Sequence, residues 1–325
     1  MDSTATDEIA HDFRPRFIVF KDGRVQRLAY NDFVPPSLNP QGISSKDLQI
    51  LPELGVSARL YLPKLDVDDD ARRKLPILVY YHGGGFCIAS AFGGLHHHYL
   101  TSLVTNAKVV AVSVDYRRAP EHPIPTAHND SWAALQWVAA QSAGPAQSPE
   151  GLEPWLSEHG DFDRITIAGD SAGGNIVHNL AMRAGREELN HGVKLRGAIA
   201  VHPFFTGEKA IGDEVKYPEK KAVGDRIWMF ISPTTVGLDD PLINPMGDGA
   251  PSQAGLGCTR VLVCVAGMDR VTFRGRAYYE WLRSSEWKGT VEILESEGED
   301  HVFHLRKLTC ENAGAMMQRF VSFLN

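Results

Sequence analysis

Long apolar runs, paired cysteines and an excess of basic charge are all missing from this chain, and each absence removes a class of function. No stretch approaches the roughly 18 consecutive apolar residues that a membrane-crossing helix needs, so no membrane partner is expected. Met1 to His11 is acidic and polar, without the basic start and apolar core of a secretory signal or the arginine-rich character of a transit peptide. The expected location is therefore cytoplasmic. Cys87, Cys258, Cys264 and Cys310 show no CxxC spacing, and Cys264 falls inside the strand-like run Val261 to Val265. That pattern argues against a metal and against a disulfide framework. A net charge of −7 gives no clustered cation to grip phosphate backbones, so nucleic acid is not expected as a partner.

What is present is the material for a large core: 43% of the 325 residues are hydrophobic and 22% are charged, inside the ordinary globular range. Arg16 to Tyr30 alternates around Asp22-Gly23 and predicts a hairpin. A Pro-rich connector through Pro35, Pro36 and Pro40 leads to a strand at Val56 to Tyr61, and Asp66 to Lys74 reads as a charged loop. From Leu75 onward the texture changes to short, nearly continuous apolar runs at Ile77 to Tyr81, Val109 to Val114, Ile165 to Ala168 and Arg260 to Ala266, with a fifth at Ala198 to His202. Such runs suit strands buried on both faces. Helical patterns at Ala127 to Gln141, Ala172 to Ala184 and Phe273 to Ser284 separate them, and a last amphipathic helix at Glu311 to Leu324 carries a core-packing face. The alternation predicts an α/β protein, with a mostly parallel central sheet flanked by helices and functional residues beyond the carboxyl ends of the strands. The chain is read as a single domain over 1–325. Residues 1–50 and 206–251 resist the pattern and are assigned to a cap, from the N-terminus and an insertion.

The strongest chemical signal is Gly169-Asp170-Ser171-Ala172-Gly173, a G-x-S-x-G run directly after a predicted strand and opening a predicted helix. A serine on such a sharp turn has its hydroxyl exposed, and the flanking glycines are required where a Cβ would collide with backbone. The second signal is His82-Gly83-Gly84-Gly85, also following a strand. Consecutive glycines let backbone N–H groups reach an oxyanion; Gly83, Gly84 and Gly85 with Ala172 are the candidate hole, supported by His82 and Asp170.

A serine needs a base, and the base needs an orienting acid. In the chain order Ser, Asp, His, the candidates are Asp269, which ends the strand-like Arg260 to Ala266, and His301, just past Val291 to Leu294. Asp239, Asp240 and Asp300 end no predicted strand, and His304 is the local competitor for His301. His96-His97-His98 looks like a metal tract, yet neighbours on a helix point in different directions, so solvated or partly buried helix residues are expected. Asp115 to Pro123 reads as a salt-bridged structural turn beside the site.

With these residues in view, the chain resembles the plant carboxylesterases of the hormone-sensitive-lipase-like branch of α/β-hydrolases. The likeness runs over nearly the whole length and includes His11 to Phe13, Lys21 to Val25, Phe33 to Ser37, Gly55 to Pro63, Asp115 to Pro125 and Glu299 to Leu305. It implies the α/β-hydrolase fold, hydrolysis of small-molecule esters through an acyl-enzyme on Ser171, Asp269 and His301, and no cofactor. Val271 stands where many relatives carry Leu, and Met268 is expected to border the pocket. The same family includes 2-hydroxyisoflavanone dehydratases, tuliposide-converting enzymes, cyclase-like alkaloid enzymes and gibberellin receptors. The receptors lack the triad histidine that is present here as His301; a lyase keeps the same base and hole, so motifs do not separate it from an esterase. Substrate and oligomeric state are not legible.

Overall fold

The computed structural model describes residues 7–39, 41–65, 74–143 and 151–325, so Pro40 and most of the predicted charged loop at Asp66 to Lys74 lie outside the described residues. Three short strands come first: β1 (Ile9–Phe13), β2 (Phe17–Phe20) and β3 (Val25–Arg27). Asp22-Gly23 turns the β2–β3 hairpin, with Gly23 at φ +87°. β1 was not anticipated, because four of its five residues are exposed and carry no alternation. The strands form a separate antiparallel sheet, β1-β2-β3.

Among the described residues the central sheet has eight strands. β4 (Ser44–Leu51) and β5 (Val56–Leu62) are antiparallel; β6 (Leu75–Tyr81) is followed by α1 (Gly94–Ala107), β7 (Val110–Asp115), α2 (Thr126–Ala140), α3 (Pro154–His159), β8 (Gly160–Asp170) and α4 (Ala172–Ala184). Then come β9 (Leu195–Val201), α5 (Pro218–Ile231), β10 (Cys258–Ala266), α6 (Thr272–Arg283), β11 (Thr290–Ser296), α7 (Phe303–Arg306) and α8 (Glu311–Leu324). The strand order is β11-β10-β9-β8-β6-β7-β5-β4, and β6 through β11 pair in parallel. β4 is a correction to the expected cap: residues 44–50 belong to the sheet edge. A strand with Lys46 and Asp47 half-buried reads as polar connector, and edge strands tolerate such charge.

The apolar runs are explained by the two faces they serve. Ile77, Val79 and Tyr81 pack into one core with Val110, Val112, Val261 and Val263, beneath α2, α4 and α6. Leu78 and Tyr80 point the other way into a second core with Ala111, Leu262 and Cys264, covered by α1 and α8. Ala313, Met316, Phe320 and Leu324 supply the buried face of α8, as its spacing predicts.

The amino-terminal sheet and α5 meet each other. The Arg226 guanidinium lies over the Phe13 ring at 4.6 Å and donates to the Asp12 carbonyl, while Phe230 packs against Phe13 at 4.8 Å and His11 at 4.5 Å. Arg16 and Tyr30 from the first segment and Tyr217, Lys220 and Ile227 from the second line the cavity that contains Ser171.

Candidate active site

Ser171 sits between β8 and α4 with φ 54° and ψ −113°, a backbone conformation that L-residues adopt only under constraint. The constraint is visible on both sides. The Ser171 N–H donates to the Val201 carbonyl (2.8 Å), and its own carbonyl accepts from Phe204 N–H (2.9 Å) and Asn175 N–H (3.1 Å). A side chain on Gly173 would overlap the Tyr81 carbonyl oxygen, and one on Gly169 would come within 2.6 Å of that same oxygen and of Gly173 backbone. The two glycines let β8, the turn and β6 close on each other, which presses the hydroxyl outward.

His301 follows β11 and reaches back across the sheet end. Its Nδ1–H donates to Asp269 Oδ2 at 2.6 Å, and its Nε2 accepts from the Ser171 hydroxyl at 2.9 Å. This tautomer follows from the carboxylate, which only accepts. Asp269, at the carboxyl end of β10, is buried, and its Oδ1 accepts from Val271 N–H at 3.1 Å. Burial alone would raise its pKa; the adjoining His301, then His202, outweigh it and hold the carboxyl below the ordinary range. The expected Ser, Asp and His are thus brought together in one hydrogen-bonded series. The rivals are not: Asp300 accepts from the His301 N–H (2.6 Å), Asp239 binds Glu208 N–H and Asn244, and Asp240 binds Thr235. His304 is buried against Tyr99 and His202, its pKa pushed well below the usual value by burial.

The glycine run divides by function. The Gly83 N–H donates to Asp170 Oδ1 at 3.0 Å, so Gly83 is not a free donor, contrary to its inclusion in the expected hole. Gly84 and Gly85 line the cavity at φ +106° and +61°, and among the described residues no acceptor takes either N–H. The Ala172 N–H, at the first turn of α4, has no partner within its helix. Asp170 Oδ1 also accepts from the Tyr80 hydroxyl (2.8 Å) and His96 Nε2–H (3.2 Å). Burial would raise this carboxyl, but His96 holds it well below the carboxylate range. His82 is buried, stacks on Tyr116 at 4.3 Å and bonds the Gly83 carbonyl through Nδ1 (2.7 Å); burial lowers its pKa to about 4.

Tyr80 and His202 stand in no motif of the sequence, and His96 stands there only as one of three adjacent histidines. His96 was grouped with its neighbours as solvated or partly buried, whereas it is 2% exposed and faces Asp170; His97 turns toward Arg59 and Tyr61, and His98 is exposed. Helical divergence separates the three as expected, but which one points inward needed the sheet. His202 accepts from Val302 N–H at 2.8 Å and lies 3.8 Å from Asp269, with burial lowering its pKa to about 4. His202, Asp269 and His301 are the cluster among the described residues with metal-ligand spacing, their donor atoms within 4.8 Å; those atoms are taken up in the hydrogen bonds just described. In the Asp115 turn the charges are paired: Arg117 with the buried Asp130 at 2.7 Å, and Glu121 with Arg27 at 2.7 Å.

A hydroxyl, imidazole and carboxylate in series, in a cavity of about 810 Å³ at the carboxyl ends of a mostly parallel sheet, define a site of the α/β-hydrolase class. The chain belongs to that family: the family described as alpha/beta hydrolase fold matches residues 78–305. It is 46% identical to tuliposide A-converting enzyme 1, chloroplastic, of Tulipa gesneriana, over 98% of this chain and 78% of the relative. It is 44% identical to 2-hydroxyisoflavanone dehydratase of Glycyrrhiza echinata (99% and 98%) and 45% identical to probable carboxylesterase 1 of Arabidopsis thaliana (98% and 98%). Among solved structures, an esterase of Pyrobaculum calidifontis superimposes with a TM-score of 0.67 at 26% identity, covering 86% of this chain and 84% of the esterase. Among the described residues, no helix is long and apolar enough to cross a membrane.

Proposed function

We propose that the chain is a serine carboxylesterase acting on esters of small organic molecules, with Ser171 as nucleophile, His301 as base and Asp269 as the orienting carboxylate. The observation that carries this reading is the hydrogen-bonded series of 2.9 and 2.6 Å opening on a cavity of small-molecule size. His301 Nε2 takes the Ser171 proton as Oγ bonds to the ester carbonyl carbon, and the carbonyl electron pair moves onto oxygen. The N–H groups of Gly84, Gly85 and Ala172 stabilise that anion, each such donor being worth about 3 kcal/mol. Collapse breaks the bond to the leaving alkoxide, which takes the proton from His301 and leaves an acyl-enzyme. Water, deprotonated by His301, then attacks the acyl carbon, releasing the acid and restoring the serine hydroxyl. Asp269 stays ionised and holds the imidazole in its productive tautomer.

Replacing the nucleophile tests this directly. Ser171→Ala is expected to lower 4-nitrophenyl acetate turnover by about 10⁴-fold or more with an unchanged circular dichroism spectrum, and wild-type turnover in that variant overturns the reading. The dehydratase relative supports a second reading, a lyase in which the same base removes a proton next to a carbonyl and the same N–H groups hold the enolate. Fluorophosphonate labelling without ester turnover would favour the lyase; labelling with a burst of released alcohol favours the esterase. The cytosol remains part of the proposal, although three relatives are named for the chloroplast or the mitochondrion; imaging a full-length fluorescent fusion decides it.

A further inference from the structure

The charged side chains around the cavity can be matched to their partners one by one. Its acids are all engaged: Asp170 with His96, Glu214 with Arg274, Asp213 with Lys216, and Asp269 and Asp300 with His301. Three of its cations are engaged as well, Lys221 with Asp225, Lys220 over the Tyr217 ring and Arg306 with the His301 carbonyl. Arg16 and Arg270 remain. Both are half-buried and line the cavity, and among the described residues neither guanidinium has a hydrogen bond or an ion pair.

The two come from distant segments of the chain. Arg16 is in the turn between β1 and β2. Arg270 directly follows Asp269 and runs under α5, its Nη1 3.9 Å from where a side chain on Gly224 would begin. Burial, and then the charge of Arg16, hold Arg270 below the ordinary arginine value, although Asp269, Asp225 and Asp300 pull the other way. Two like charges kept without a counter-ion are unfavourable, and a bound anion relieves both costs. The planar guanidinium fork matches the two oxygens of a carboxylate. We propose that Arg16 and Arg270 form a carboxylate-binding subsite, so that the ester cleaved at Ser171 carries a second, free carboxylate. This rests on the esterase reading above.

The test compares matched esters that differ in that charge. On the acyl side, 4-nitrophenyl hemiglutarate is set against 4-nitrophenyl pentanoate; on the alcohol side, 4-acetoxybenzoate against 4-acetoxybenzamide. In at least one pair the anionic ester is expected to have a kcat/KM higher by about tenfold or more, mostly through KM. That ratio should fall toward one in Arg16→Gln and Arg270→Gln and return in part in Arg270→Lys. Equal ratios in wild type and both Gln variants overturn the subsite. Calorimetry on Ser171→Ala with the same benzoate and benzamide reads binding without turnover: preferential binding of the benzoate keeps the subsite even if the esterase reading fails. Inhibition of the wild type by inorganic phosphate but not by glutarate would overturn the carboxylate assignment.

Discussion

At the scale of single residues, the geometry around Ser171 depends on the carboxylate that stands one residue before it. Asp170 gathers three donors on Oδ1, and one of them is the Gly83 N–H that sets the path of the glycine run. The charge is buried and survives because His96 faces it. Asp170→Asn removes the charge and keeps the shape. The expected outcome is a loss of about 2–3 kcal/mol in stability by urea unfolding, because the buried donors of Tyr80, Gly83 and His96 lose their charged acceptor. Since Gly84 and Gly85 follow directly from Gly83, kcat should fall by about tenfold while KM changes little, the signature of an interaction made in the transition state. A KM rise with constant kcat would show that Asp170 acts on substrate binding instead.

At the scale of elements, the question is what holds the amino-terminal sheet against α5. Pro218 opens that helix where its missing N–H is harmless, and Arg226 on the following turns reaches the Phe13 ring and the Asp12 carbonyl. Arg226→Ala is expected to cost about 1 kcal/mol or less in global stability, since the contacts are at the surface. The local effect should be larger: limited proteolysis near residues 7–27 should speed up while the eight-stranded sheet stays resistant. Unchanged cleavage would mean that Phe13, Phe17 and Phe230 suffice. The hairpin was legible because Asp-Gly between alternating residues has few other uses. β1 and β4 were not legible, because an edge strand has only part of its residues under apolar selection and β1 has almost none.

At the scale of the whole molecule, the fold buries an unusual set of neutral histidines. His82, His128 and His202 are lowered to about 4 and His178 to about 3, in each case chiefly by burial. Depressed values make the unfolded chain the better proton acceptor. Above the unfolded value of about 6.5 neither state is protonated, and stability is at its full level. As pH falls from about 6.5 toward 4, only the unfolded state takes up protons, so each histidine steepens the loss by about 1.4 kcal/mol per pH unit. Asp269 and Asp170, held low, extend the loss to still lower pH. Urea unfolding at pH 7.5, 6.5, 5.5 and 4.5 should therefore show a flat region followed by a steep decline, and a flat profile to pH 4.5 would contradict the burial.

The sequence by itself determined the local backbone on which the proposed chemistry depends. G-x-S-x-G and His-Gly-Gly-Gly are legible because a tight turn tolerates no Cβ at defined positions, and buried parallel strands are legible because both faces demand apolar residues. The placement of Asp269 and His301 beside Ser171 was legible because each follows a strand, where this architecture delivers its side chains to one edge. What only the tertiary structure decided are relations between distant segments: that His96 and not His97 meets Asp170, that Gly83 is committed to that carboxylate, and that Arg16 and Arg270 face one cavity without a partner among the described residues. Pairing of charges is a property of distance in space, and chain order carries no record of it until the strands are in register.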